Sequence, residues 1–81
     1  MKYERIEKKN GTLVHESCNF NMENESAKKR FEKEYDEVCQ DRRNNKLKSY
    51  NYDFIDKPNE YYRAFCASYN DGFELTIVIY E

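Results

Sequence analysis

The chain has 81 residues, a formal net charge of −2 and 37% charged residues nearly balanced in sign. That length makes one domain, residues 1–81, just above the size at which a lone hydrophobic core becomes marginal. The charge balance fits neither a strongly basic nucleic-acid binder nor a strongly acidic DNA mimic. No stretch has the length of a membrane span, so no membrane partner is expected.

Core-forming material is scarce. Three Leu, four Ile, three Val and five Phe make up under a fifth of the chain, which alone would point toward disorder. The small net charge opposes that reading, and so do eight Tyr, each able to bury a ring while keeping its hydroxyl wet. A folded domain is expected whose core uses aromatics as much as aliphatics, and which leans on a partner for stability.

Residues 3–20 read as a β-hairpin. Asn10-Gly11 is a strong two-residue turn signal, because both residues tolerate positive φ. It pairs Lys9 with Thr12 and, in unbroken register, Tyr3 with Cys18. Tyr3, Val14 and Cys18 then share one face, and Ile6, Leu13 and His15 the other.

A helix follows, capped by Asn24 or Ser26 and running to about Asn44. Ala27, Phe31, Tyr35, Val38 and Cys39 form one narrow apolar stripe at helical period. The remainder is charge. Lys28–Glu32, Arg30–Glu34 and Lys33–Glu37 are opposite-sign pairs at i, i+4, and Glu32, Glu34, Asp36 and Glu37 read as a solvated face.

Tyr50, Tyr52 and Phe54 alternate with Asn51, Asp53 and Ile55, the period of a strand. Asp56 to Asn59 form a turn, with Pro58 at its third position or in a longer loop. Two β-rich runs then flank Asn70-Asp71-Gly72. With Gly72 in the left-handed region, a three-residue loop sets Tyr69 opposite Phe73, Ala67 opposite Leu75, Phe65 opposite Ile77 and Arg63 opposite Ile79. A two-residue loop pairs Cys66 with Ile77 and Ala64 with Ile79 instead, and is almost as apolar. Phe73, Leu75, Ile77 and Ile79 are the predicted core face. The expected fold is α+β in the order ββαβββ, with one α-helix on a mostly antiparallel sheet of about five strands.

No pattern for catalysis stands out. His15 and Cys18 lie an odd number of residues apart on a strand, so they point to opposite faces and cannot act as base and thiol nucleophile. His15, Cys18, Cys39 and Cys66 match the ligand count of a zinc site, but no Cys-x-x-Cys knuckle brings two together. No catalytic residue, metal or cofactor is expected, and the thiols are expected to be buried and unreactive. Met1 to Arg5 lack the apolar stretch of an export signal, so reduced thiols in the cytoplasm are the expectation.

Two binding readings remain. Tyr and Arg are enriched at protein interfaces. The face opposite Phe73, Leu75, Ile77 and Ile79 carries Glu74, Thr76, Val78 and Tyr80, and one helix can cover only one side of a sheet. If Tyr50, Tyr52 and Phe54 join that outer side, then Tyr50, Tyr52, Arg63 and Tyr80 form a binding surface for a larger protein or for a homodimer. The leading expectation is a non-catalytic protein-binding module acting as an inhibitor, adaptor or regulator. The nine Asn, nine Lys and eight Tyr of the chain suggest an AT-rich genome, and such small chains often belong to viruses, phages or mobile elements. The alternative is single-stranded DNA or RNA binding, with Arg42, Arg43, Lys46 and Lys48 on phosphates and Tyr50 and Tyr52 stacking on bases.

Overall fold

A computed structural model describes residues 1–81 as β1 (Lys2–Lys9), β2 (Thr12–Asn19), α1 (Asn24–Arg43), β3 (Leu47–Lys57), β4 (Glu60–Tyr69) and β5 (Phe73–Tyr80). The five strands form one sheet in the order β2-β1-β5-β4-β3, and every neighbouring pair is antiparallel. This is the expected α+β fold. The chain makes the β1–β2 hairpin at one edge and crosses through α1 to the other edge. It then returns through β3 and β4, so that β5 closes the sheet against β1. The helix covers one face; the other is bare.

The two hairpin turns adjoin. Asn10 and Gly11 both take positive φ, as does Gly72. The Asn10 N–H donates to the Gly72 carbonyl at 2.9 Å. Asp71 steadies the second turn, accepting from the Phe73 N–H at 3.0 Å and pairing with Lys9 at 3.4 Å. These contacts hold the Asp71 carboxyl below its ordinary pKa, the Phe73 amide being the larger cause and Lys9 the next. The β4–β5 register is that of the three-residue loop, from Arg63 opposite Ile79 to Ala67 opposite Leu75, and not that of the two-residue alternative.

The first hairpin departs from expectation. Lys9 pairs with Thr12 and Lys8 with Leu13, but a β-bulge follows and Glu7 faces His15. Val14 is the extra residue. Beyond it the register is offset by one, so Tyr3 faces Asn19 and Cys18 faces Glu4. A one-residue slip moves every later side chain to the other face. Tyr3 therefore points to the helix while Cys18 points away. The bulge is invisible in the alternation because neither face of this hairpin is cleanly polar. At the β3–β4 hairpin, Lys57 pairs with Glu60, so Pro58 takes the second turn position rather than the expected third, and its fixed φ suits the turn there.

Neither Asn24 nor Ser26 caps the helix. Glu23 is the N-cap residue and makes no side-chain capping bond. The C-terminal end matches expectation. Asn45 takes a left-handed φ of 59°, its N–H donates to the Arg42 carbonyl, and the Lys46 N–H donates to the Asp41 carbonyl. That bond pattern is a Schellman stop.

Ten residues are buried: Tyr3, Ala27, Phe31, Val38, Ala64, Phe65, Ala67, Leu75, Ile77 and Ile79. Phe31 is the keystone. Its ring meets Phe65 edge-on at 5.4 Å and stacks near Tyr35 at 6.2 Å. Around this thin core the helix is fastened by charge as well as by apolar contact. Glu34 accepts from the Tyr3 hydroxyl at 2.6 Å and from the Arg5 guanidinium at 2.9 Å. Asp41 accepts from the Tyr69 hydroxyl at 2.7 Å. Burial, reinforced by Glu34, pushes the Tyr3 phenol up to about 12. Burial and then Asp41 raise Tyr69 well above its ordinary value.

The acidic stripe of the helix is thus not simply solvated. The Glu34 side chain is only 12% exposed. Of the three pairs expected along the helix, only Arg30–Glu34 forms, at 3.6 Å. Glu32 is drawn to Arg63 on the sheet, and Lys28 lies over the Tyr61 ring at 4.9 Å.

Candidate functional site

The register decides where the aromatic strand faces. Tyr52 pairs with Phe65, Tyr50 with Ala67 and Phe54 with Arg63, and Phe65 and Ala67 are core residues under the helix. Tyr50, Tyr52 and Arg63 therefore lie on the covered side. Tyr80 lies on the other. The structure brings the first three together and leaves the fourth apart, so these residues do not form one outer surface.

The inner three make a framework. Arg63 donates to the Tyr52 hydroxyl at 2.8 Å and to Glu32. Its guanidinium lies 4.5 Å from the Phe31 ring centroid and 5.7 Å from that of Tyr35. Burial works against its charge, but Glu32 and Tyr52 outweigh it, and the pKa stands above the ordinary arginine value. Arg63 can be traced in the sequence, because a register that sets it opposite Ile79 also sets it on the core face. Tyr50 is half-buried, with its hydroxyl enclosed and without a partner in hydrogen-bond geometry. Burial first, and then the adjacent Tyr35 phenol, raise its pKa.

The basic segment is only partly assembled. Arg42 stacks over the Tyr50 ring at 5.4 Å and shares with Leu47, Lys48, Ser49 and Tyr50 a depression of about 260 Å³. Lys46 is turned to Asp41 at 3.9 Å. Arg43 and Lys48 are exposed. The Tyr52 ring sits 5.2 Å from Tyr35 and the Tyr50 ring 6.4 Å from it. The Tyr50 ring, half-buried and covered by Arg42, offers little face for stacking a base, while the Tyr52 ring keeps an exposed edge; single-strand recognition needs successive open faces.

His15 and Cys18 lie on opposite sides of β2, as their spacing requires. All three cysteines are free. Cys18 is exposed rather than buried, while Cys39 and Cys66 are half-buried. Cys39 is on the helix, and Cys66 is on the side of the sheet away from it.

The bare face of the sheet has the strongest character of a binding surface. The paired registers lay it out in rows. One row runs Glu16, Ile6, Thr76, Cys66, Asn51; the next runs Cys18, Glu4, Val78, Ala64, Asp53; a third runs Lys2, Tyr80, Tyr62, Ile55. The centre is small and largely apolar. Ala64, Cys66, Thr76 and Val78, with Asn51, Asp53 and Tyr62, line an open depression of about 420 Å³. The longer side chains of Ile6, Ile55, Tyr62 and Tyr80 stand around that centre. Ala64 is 8% exposed although no element covers this face, because its neighbours rise above it. The rim carries Glu4, Glu16, Asp53, Glu60 and Glu74 against Lys2, Lys8 and Lys57, an acidic excess. The Tyr80 hydroxyl donates to Glu4 at 3.1 Å, and Lys2 lies 5.4 Å from the Tyr80 ring centroid.

No protein-family model, curated protein or solved structure matches the chain. Thr76, Val78 and Tyr80 belong to the bare face as the alternation of β5 predicts. Ala64 and Cys66 were missed, although the loop at Gly72 fixes them as outward once Phe65 and Ala67 are inward. Ile6 and Ile55 depend on strand order, which local pattern does not encode. No helix is long and apolar enough to cross a membrane.

Proposed function

We propose that the chain is a non-catalytic protein-binding module that docks a larger protein on the open face of its sheet. One observation carries the reading. The uncovered side of a five-stranded sheet presents a small-residue apolar centre within an acidic rim, and an apolar patch with a polar rim is a common form of interaction site. The buried core is thin, so covering this face also adds to the stability of the fold. Through such docking the module acts as an inhibitor, adaptor or regulator of its partner. The acidic rim favours a partner with basic residues around its contact area and disfavours nucleic acid on this face.

The test is a comparative capture from the native host. Wild-type protein, an outer-face variant Thr76→Arg and a basic-segment variant Arg42→Ala/Lys48→Ala are each used as bait, with nuclease treatment in parallel. The reading expects a partner that survives nuclease, is lost with Thr76→Arg and is retained by the double variant. Capture that disappears with nuclease or with the double variant, and not with Thr76→Arg, supports single-stranded nucleic-acid binding instead.

A further inference from the structure

The sheet has two edges, β2 and β3. An edge strand presents unpaired N–H and C=O groups, and folded proteins usually blunt it. The bulge at Val14 interrupts β2. In contrast, β3 keeps unbroken register from Ser49 to Lys57, and it carries two exposed aromatic rings, Tyr52 at 39% and Phe54 at 48% exposure.

The open backbone groups follow from the hairpin. Lys57 and Glu60 close a two-residue loop, and such a closing pair exchanges both hydrogen bonds. Bonded pairs then recur at Ile55–Tyr62, Asp53–Ala64 and Asn51–Cys66. In agreement, the carbonyl of Tyr61, which sits opposite Asp56, is turned away from β3 and accepts from the Glu81 N–H at 3.0 Å. The N–H and C=O of Tyr50, Tyr52, Phe54 and Asp56 therefore point out of the sheet edge.

We infer that β3 pairs antiparallel with β3 of a second copy, about a two-fold axis through Tyr52. In such a self-complementary pair each contact occurs twice. With Tyr52 opposite its own mate, Tyr50 faces Phe54 and Lys48, the residue of the bulge at the start of β3, faces Asp56. The result is an aromatic ladder ended at both sides by opposite charges. On the outer side Asn51 faces Asp53 and Ser49 faces Ile55. Neighbouring registers are worse. An axis through Asp53 sets that carboxylate against itself. An axis through Asn51 sets Lys48 against Phe54 and leaves Asp56 only Lys46, which precedes β3 and is already turned to Asp41. Charge complementarity thus selects one register, and it joins the open faces of two copies into one. The pairing extends the outer face at its β3 border without covering its centre at Ala64, Thr76 and Val78, so this inference and the proposed docking of a partner fail independently.

Sedimentation equilibrium on the full chain tests it with Asp56→Lys, Lys48→Asp and the double exchange Lys48→Asp/Asp56→Lys. Both positions are exposed, and circular dichroism checks that each variant is folded. A single strand pair is a small interface, so the wild-type dimer is expected to be weak, with a Kd of about micromolar or higher. Each single variant sets like charges opposite each other twice and is expected to raise the dimer Kd about tenfold or more. The double exchange is expected to return it to near the wild-type value. A wild-type chain that stays monomeric to about 1 mM overturns the inference. So does a dimer indifferent to the single variants, which places the contact elsewhere, or a double exchange that fails to restore association.

Discussion

Replacing Phe31 by Ala is expected to bring the domain close to unfolding. Phe31 is fully buried, packs edge-on against Phe65 and lies beneath the Arg63 guanidinium. Losing the transfer free energy of a buried aromatic side chain costs about 2–3 kcal/mol. The cavity left behind raises the total to about 3–5 kcal/mol. A chain of 81 residues at about 0.05–0.15 kcal/mol per residue has about 4–12 kcal/mol in all. In a domain of this size the loss corresponds to a fall in Tm of about 12 °C or more. Urea unfolding followed by circular dichroism measures it, with Phe54→Ala as the control. The Phe54 ring is 48% exposed, and its removal is expected to cost about 1 kcal/mol. A Phe31→Ala chain within about 1 kcal/mol of wild type would refute the reasoning, because the helix would then not be docked through that ring.

Arg63→Ala is expected to lose about 1–3 kcal/mol of stability, from charged hydrogen bonds and stacking together, and Arg63→Lys to recover little of it because an ammonium cannot reproduce the planar fork; chemical denaturation compares the three chains. Asn45→Gly is expected to leave stability unchanged or slightly raised and Asn45→Ala to lower it by about 1 kcal/mol, since φ at this position is 59° and favours residues without a steric penalty there; thermal melts distinguish the two. Alkaline pH is expected to unfold the domain. Tyr3, Tyr50 and Tyr69 all titrate above the ordinary value of 10.0 in the folded chain, so they contribute stability that is fully present below about pH 10 and is lost as pH rises toward and beyond 12. Tyrosinate absorbance recorded alongside circular dichroism checks this, and titration of all eight Tyr near pH 10 with the fold intact would contradict it.

Much of the fold is legible in the sequence because its signals are local. Asn10-Gly11 and Asn70-Asp71-Gly72 specify their turns through positive φ. The stripe of Ala27, Phe31 and Val38 specifies the buried side of the helix. The alternation of Phe73, Leu75, Ile77 and Ile79 specifies the inner side of β5. What sequence reasoning loses is long-range or irregular. The bulge at Val14 inserts a residue where neither face is polar enough to fix register, so Cys18 changes sides. The inward turn of Tyr50 and Tyr52 depends on β3 pairing with β4, which no local pattern declares. Glu34 lies seven residues after Ala27 and four before Val38, so the helical period sets it beside the buried stripe; its charge makes it read as solvated, and its partners, Tyr3 and Arg5, lie 31 and 29 residues away. The abundance of tyrosine follows from the same fact. Several rings complete a core poor in aliphatics, and the hydroxyls of Tyr3 and Tyr69 reach carboxylates on the helix.

The proposed docking surface is the open side of the sheet, and the methyl groups of the chain report on both sides at once. Ile6, Ile55, Ala64, Thr76 and Val78 face outward, while Ala27, Val38, Leu75, Ile77 and Ile79 lie in the core beneath or on the helix. Methyl-resolved NMR of the labelled chain, titrated with the captured partner, separates neighbours such as Ile77 and Val78 on one strand. The expected result is that the outward set shifts or broadens first and most, with the core set nearly unmoved. Shifts confined to the helix side, with Val78, Thr76 and Ala64 unchanged at saturation, would contradict the account.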